Sequence, residues 1–273
     1  MSTTAPARPD GAVGLRACAS ACGVDGLGAR IAAAVARLLD EPPFLVASGG
    51  CAATLASHLR GETHHVLLGR PLPYALGLAL AKPGRAVLVF LGDGEAAGPG
   101  LGHLLHASRR GDPVRALVVN NEVLGVAGGF PSAATPRGRR TEATPQGSST
   151  HGVDLARLAT EAGAAWVGRE TVTAGASLDR LVTEFLSAPA FALLELRAPC
   201  YPAVGRWNGH ESPEAMHEAL ERRAIRDGDA SSRRDDDRFP VGRLWPPPAA
   251  PEAAPEAAPA AAKTAPPPNR GKR

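Results

Sequence analysis

The sequence predicts an α/β domain: a parallel sheet with helices on both faces. Three observations predict it. Short, continuous apolar runs stop at Gly or Asn, as strands buried on both faces do. Amphipathic helical segments stand between those runs. Hydrophobic residues make up 44% of the 273 but aromatics only 4%, so Val, Leu and Ala must fill the core. Alternating strand and helix then calls for parallel strands joined by crossovers.

Each element follows in chain order. Residues 25–39 form a helix with Ile31, Val35, Leu38 and Leu39 on one face. Residues 44–48 form a strand stopped by Gly49-Gly50. A helix over 74–81 ends before Pro83, and a strand over 86–91 ends at Gly92. The helix over 100–110 presents Leu101, Leu104 and Leu105. The strand over 115–119 is stopped by Asn120-Asn121. Asp154 is the expected N-cap of a helix over 155–162, and Ser177 that of a helix over 178–186. Strands over 165–167 and 191–196 complete the set.

These elements divide the chain into a flexible N-terminus (1–12), the α/β domain (13–205), a partly helical extension (206–245) and a tail (246–273). The tail holds nine Pro and ten Ala in 28 residues and has no apolar period, so it is expected to be disordered and partly polyproline II. Thirty basic residues are mixed with 27 acidic ones for a net charge of +3, which argues against a nucleic-acid-binding stripe. No apolar run approaches the roughly 20 residues of a membrane helix, and the first residues lack the apolar stretch of a signal peptide. A cytoplasmic protein is expected, with its four cysteines as thiols or metal ligands rather than disulfides.

In such sheets ligands sit beyond the strand carboxyl ends. Two strand ends carry chemistry: Gly92-Asp93-Gly94-Glu95, and Asn120-Asn121-Glu122-Val123-Leu124-Gly125. Asp93 and Asn121 are 28 residues apart, one strand–helix–strand unit, which sets a carboxylate beside an amide on adjacent strands. A carboxylate, an amide oxygen and a backbone carbonyl are a hard donor set suited to Mg²⁺. Gly92 and Gly94 let the backbone approach a phosphate, and the helix starting near Gly100 has N–H groups to offer the same anion.

These residues resemble the diphosphate–magnesium motif of thiamine diphosphate enzymes. More closely, residues 48–200 resemble the β subunit of 2-oxoacid:ferredoxin oxidoreductases. The matching pieces are Ser48-Gly49-Gly50-Cys51, Leu68-Gly69-Arg70-Pro71-Leu72-Pro73, the helix carrying His103 and His106, Gly125-Val126-Ala127-Gly128-Gly129, Ser132-Ala133-Ala134-Thr135-Pro136 and Ala198-Pro199-Cys200. The resemblance implies a thiamine diphosphate-binding fold. It implies that Gly50, Gly69, Arg70, Gly92, Asp93, Gly94, Glu95, Asn121, Val123 and Gly125 hold the diphosphate half of the cofactor. Asp93, Asn121 and the Val123 carbonyl would hold Mg²⁺. A partner α subunit would hold the pyrimidine half and supply the activating glutamate. The implied reaction is oxidative decarboxylation of a 2-oxoacid with coenzyme A, its electrons leaving one at a time through a 4Fe–4S cluster to ferredoxin.

The chain departs from the family at Leu68 (usually His), Gly102 (Asn), Leu124 (Tyr), Ala127 (Thr) and Phe130 (Gln). Each change removes a hydrogen-bonding group. The resemblance assigns Cys18, Cys22, Cys51 and Cys200 to the cluster, with Cys18 four residues from Cys22 where the family spaces the pair by three. A zinc site or inert buried thiols are the other readings of the four cysteines. His103 and His106, at i and i+3, suit metal ligation or helix packing. Arg137-Gly138-Arg139-Arg140 reads as a solvated loop or a partner for phosphates or a carboxylate. Two other functions stay open: a thiamine diphosphate decarboxylase or synthase subunit without a cluster, and a subunit that binds cofactor without turnover.

Overall fold

In this computed structural model, which describes residues 21–226 and 238–246, the chain runs through α1 (Val24–Leu38), β1 (Phe44–Ala47), a 3₁₀ segment (Cys51–His58), β2 (Glu62–His65), α2 (Pro71–Ala81), β3 (Val87–Gly92), α3 (Asp93–Ala96), α4 (Leu101–Arg110) and β4 (Arg115–Asn120). A long loop leads to α5 (Leu155–Glu161), β5 (Trp166–Thr171), α6 (Gly175–Leu186), β6 (Ala192–Arg197), α7 (Pro213–Arg223), β7 (Ala224–Ile225), β8 (Phe239–Pro240) and β9 (Gly242–Trp245). The main sheet has the order β2-β1-β3-β4-β6-β5-β9. Its strands are parallel except β9, which pairs antiparallel with β5.

Side chains alternate between two cores, as the pleat requires. Leu45, Leu88, Phe90, Leu117 and Leu194 face α1 and α6; Val46, Val89, Leu91, Val118 and Leu193 face α2, α4 and α5. The expected helices on both faces are present.

The structure differs from the sequence reading at particular places. Strand β2 (Glu-Thr-His-His) is polar because it is an edge, so no apolar run marks it. β5 runs on to Thr171, and Arg169, Glu170 and Thr171 are buried. Ser177 is not an N-cap: α6 starts at Gly175 after Ala174, and the Ser177 hydroxyl donates to Glu170 Oε2 at 2.7 Å. A buried carboxylate takes that donor in preference to the helix end. Asp154 does cap α5, accepting from Arg157 N at 3.0 Å. Between 206 and 245, α7 is helical and Gly242–Trp245 adds an edge strand to the main sheet. The expected disordered ends at 1–12 and from 247 onward lie outside the described residues.

Candidate active site

The sheet order places β2 on one side of β1 and β3 on the other, so the chain reverses direction across the sheet between β1 and β3. A crevice opens at such a point, beyond the strand carboxyl ends. Ser48 follows β1, Asp93 follows β3 and Asn121 follows β4. The Ser48 hydroxyl donates to Glu95 Oε2 at 2.7 Å, and Gly69 N donates to Glu95 Oε1 at 2.6 Å. Glu95 thereby ties together the loops after β1, β2 and β3. Its carboxyl, pushed up by burial, is engaged with these two donors, which makes it a positioning group. Gly69 has φ 79°, and a Cβ there would stand 2.7 Å from Pro99 Cβ and 2.9 Å from its carbonyl carbon. Only glycine fits that approach.

Three oxygens converge at the ends of β3 and β4. The Asn121 side-chain oxygen lies 2.8 Å from the Val123 carbonyl oxygen and 3.0 Å from Asp93 Oδ1. Oxygens this close repel unless a proton or a cation lies among them. Turned over, the amide would donate to both. The turned amide satisfies both contacts without a cation; with its oxygen facing Asp93 and Val123 instead, the set would have the spacing of adjacent ligands on octahedral Mg²⁺, whose oxygens at about 2.0–2.1 Å lie about 2.9 Å apart. The donor set fits that ion. Burial pushes the Asp93 carboxyl up to about 7, against the pull of Ser132 and Arg197. A carboxylate this desolvated is poised to gain from a cation.

The loop around the site is held by side chains that local pattern does not mark as functional. The Ser132 hydroxyl donates to Asp93 Oδ2. Thr135 Oγ1 accepts from Ser132 N at 2.8 Å and donates to the Glu122 carbonyl at 2.6 Å. Glu122 has φ 63°, a left-handed conformation that a side chain seldom adopts. The turn carries Asn121 and Val123 to the side of Asp93 while Glu122 faces away. Ser132→Ala removes the group that aims Asp93, and we expect affinity for the Mg²⁺-bound cofactor to fall about 10-fold or more without loss of fold. Calorimetry on the full chain checks this; unchanged affinity would remove Ser132 from the site.

Glu122 anchors a buried charge network. Arg197 and Arg223 both donate to its Oε1, Arg223 at 2.7 Å, and Arg139 Nε lies 3.2 Å from its Oε2. Burial alone would raise its carboxyl, but Arg197, Arg223 and Arg139 outweigh that and hold it down at about 2. The folded value lies below the unfolded one, so the stabilisation is present above about pH 4.5 and lost as pH falls toward 2. It amounts to about 3 kcal/mol. Stability measured between pH 5 and 2 should therefore fall less steeply in Glu122→Gln than in the parent.

The other sequence candidates fall as follows. Gly125 packs between Cys200 and Asn121: a Cβ on it would lie 3.4 Å from Cys200 Sγ and 3.9 Å from Asn121 Nδ2. Gly50, with φ 87°, faces Val126. Cys22 precedes α1, Cys51 follows β1 and Cys200 follows β6, all at the end of the sheet that carries Asp93. Cys18 lies outside the described residues. Among the described residues, no group of three or more His, Cys, Asp or Glu side chains gathers as a metal set, so His103 and His106 do not form one. Arg70 is exposed and donates to the Gly69 carbonyl at 3.3 Å. The 137–140 loop is not wholly solvated, because Arg139 turns in to Glu122. Leu124 and Phe130 pair through their backbones, Leu124 N to Phe130 O at 2.9 Å.

Comparison with known proteins bears on this geometry. Residues 47–196 match the family described as thiamine pyrophosphate enzyme, C-terminal TPP binding domain. The 2-oxoglutarate synthase subunit KorB of Methanocaldococcus jannaschii is 32% identical over 67% of this chain and 68% of its own length. That of Archaeoglobus fulgidus is 36% identical over 61% of this chain and 63% of its own. The chain thus spans about two thirds of the length of these relatives. A solved 2-oxoglutarate:ferredoxin oxidoreductase from Magnetococcus marinus shares the fold, with a TM-score of 0.71 and 20% identity over 89% of this chain and 82% of that one. Among the described residues, no helix is long and apolar enough to cross a membrane.

Proposed function

The chain belongs to the thiamine pyrophosphate-binding domain family and, within it, to the β subunits of 2-oxoacid:ferredoxin oxidoreductases, and from that premise we propose that it holds Mg²⁺–thiamine diphosphate by the diphosphate half. The observation that carries this is the convergence of Asp93 Oδ1, the Asn121 amide oxygen and the Val123 carbonyl. Asp93 supplies the charge, Ser132 aims it, and Glu95 positions the Gly69 loop beside the diphosphate. When bound, thiamine diphosphate supplies the carbanion that takes up a 2-oxoacid and serves as an electron sink. Leu67, Leu68, Val126 and Phe130 are exposed on the loops at the strand ends, which supports a cofactor lying at a boundary with an α subunit. That subunit holds the pyrimidine half and supplies the activating glutamate. The overall reaction is coenzyme A-dependent oxidative decarboxylation with electrons delivered to ferredoxin.

Cys18, Cys22, Cys51 and Cys200 would hold the 4Fe–4S cluster, whose chemistry is single-electron transfer. Three of the four lie at the same end of the sheet as Asp93, which supports this assignment. The second reading is a cofactor-binding subunit without a cluster. Iron analysis separates the two. Anaerobically purified αβ complex should contain about four iron atoms per copy of this chain, lost in Cys51→Ala. Iron-free complex with thiamine diphosphate bound would establish the second reading.

A further inference from the structure

Helix α7 lies outside residues 47–196, the part of the chain that matches the thiamine pyrophosphate-binding family. It nevertheless touches the turn that carries Asn121 and Val123 at two points. Met216 is buried in one apolar cluster with Val123, Cys200, Ala203 and Val204. Two helical turns further on, Arg223 Nη2 donates to Glu122 Oε1 at 2.7 Å and its Nη1 to Glu122 Oε2 at 3.4 Å. That i, i+7 spacing puts both side chains on one face of the helix. We propose that α7 is a clamp on this turn and that Arg223 is its positioning residue. It holds Glu122 in the left-handed conformation that sets the Asn121 side chain and the Val123 carbonyl beside Asp93.

At φ 63°, Glu122 stands where a Cβ crowds its own backbone. Such a residue persists only where its surroundings over-determine it. Its N–H donates to Asn120 Oδ1 at 3.1 Å, and its carbonyl accepts from Thr135 Oγ1 at 2.6 Å. Its carboxylate is gripped by arginines. Arg139 and Arg197 reach it from the α/β domain, and Arg223 brings in the segment beyond. Arg223 is itself anchored: its guanidinium lies 5.5 Å from the centre of the Phe239 ring, with that of Arg197 at 4.7 Å from the same ring. Ala224, the next residue, pairs with Phe239 between β7 and β8. Phe239 is buried with Leu220 and Val241. A guanidinium fork on both oxygens of a buried carboxylate fixes its direction as well as its distance. The clamp therefore limits how the Glu122 side chain, and the peptide that bears it, can rotate.

The coupling runs both ways. If α7 stabilises the turn in its ligand-presenting shape, a ligand on the turn stabilises the docking of α7 by the same factor. The effect on binding rests on the cofactor reading of Asp93, Asn121 and Val123. The order of the turn does not, and it is measurable on the chain without cofactor.

Hydrogen exchange and calorimetry on the full chain test it. In the parent, saturating Mg²⁺–thiamine diphosphate should slow amide exchange in α7 about 5-fold relative to α6, although α7 supplies none of the three oxygens. In cofactor-free Arg223→Ala, exchange at residues 122–124 should rise by a similar factor relative to β3. Its affinity for Mg²⁺–thiamine diphosphate should fall about 5- to 10-fold. Arg223→Lys keeps the charge without the fork and should lie between. Glu122 itself isolates the backbone. Glu122→Gly adopts φ 63° freely, so it should bind the cofactor about 5-fold more tightly than Glu122→Ala. Adding Arg223→Ala to Glu122→Gly should then change affinity by less than about 2-fold. A purely structural Arg223 would lower the thermal midpoint and leave these ratios alone. Parent-like affinity in Arg223→Ala, equal affinities for Gly and Ala at 122, or exchange in α7 indifferent to the cofactor overturns the proposal. If Arg223→Ala does not fold, the Glu122 pair and the parent exchange decide. If the parent binds no cofactor, the cofactor reading fails, and exchange in cofactor-free Arg223→Ala decides the clamp: faster at 122–124 upholds it, and parent-like overturns it.

Discussion

Asp93→Ala is expected to lower affinity for Mg²⁺–thiamine diphosphate by at least about 100-fold, equivalent to about 3 kcal/mol. Asp93 is the charged member of the three-oxygen set and is 2% exposed. Without it the metal would meet two neutral oxygens and the cofactor's own diphosphate, a poor set for a hard dication. Asp93→Asn separates charge from shape: it keeps the volume and one oxygen yet should bind nearly as weakly. The cofactor-free protein should behave differently. Burial disfavours the Asp93 carboxylate, pushing it up to about 7, so neutralising it should leave the thermal midpoint unchanged or slightly raised. Weak binding with preserved stability marks a group retained for its ligand. Parent-like affinity in both variants would take the metal away from this residue.

Arg169→Met should lower stability by about 3–5 kcal/mol, the cost of leaving buried carboxylates without their cation. For a domain of this size the thermal midpoint would drop by about 10 °C. Arg169 is 2% exposed in mid-β5. Its Nε donates to Glu195 Oε2 at 2.9 Å, its Nη2 lies 2.8 Å from the same oxygen, and it also donates to Asp154. Burial alone would deprotonate it more readily, but Glu195 and Asp154 hold it protonated. Glu195 also accepts from Asn120 at 2.6 Å and from Arg197 at 3.3 Å. The network therefore runs from the α5 cap to the turn that carries Asn121 and Val123. Combining Arg169→Met with Glu195→Gln should recover part of the loss, because the stranded charge is then gone. A midpoint within 2 °C of the parent for the single variant would contradict this account.

The sequence by itself determined the architecture and the central pair of the site. Strands β1, β3 and β4 are apolar runs closed by Gly or Asn, β6 is a mostly apolar run that ends before Ala198-Pro199, and local chemistry suffices to recognise them. Asp93 and Asn121 follow adjacent strands, so one strand–helix–strand spacing already sets them side by side. Asp154 caps its own helix and is equally local.

Only the tertiary structure decided the rest, because the remaining contacts join residues far apart in the chain. Ser132 reaches Asp93 across 39 residues, and Arg223 reaches Glu122 across 101. Nothing beside either residue foretells its partner. The charged half of β5 reads as a strand end, since burying Arg169 or Glu170 alone would be prohibitive. Glu195, Asp154, Ser177 and Arg226 make that burial tolerable, and they come from β6, the α5 cap, α6 and the segment after β7. Strand β9 escapes notice because Gly-Arg-Leu-Trp acquires its meaning only against the open edge of β5. The arginine cluster on Glu122 is hidden for the same reason: Arg139, Arg197 and Arg223 come from three separate segments of a chain whose net charge is only +3.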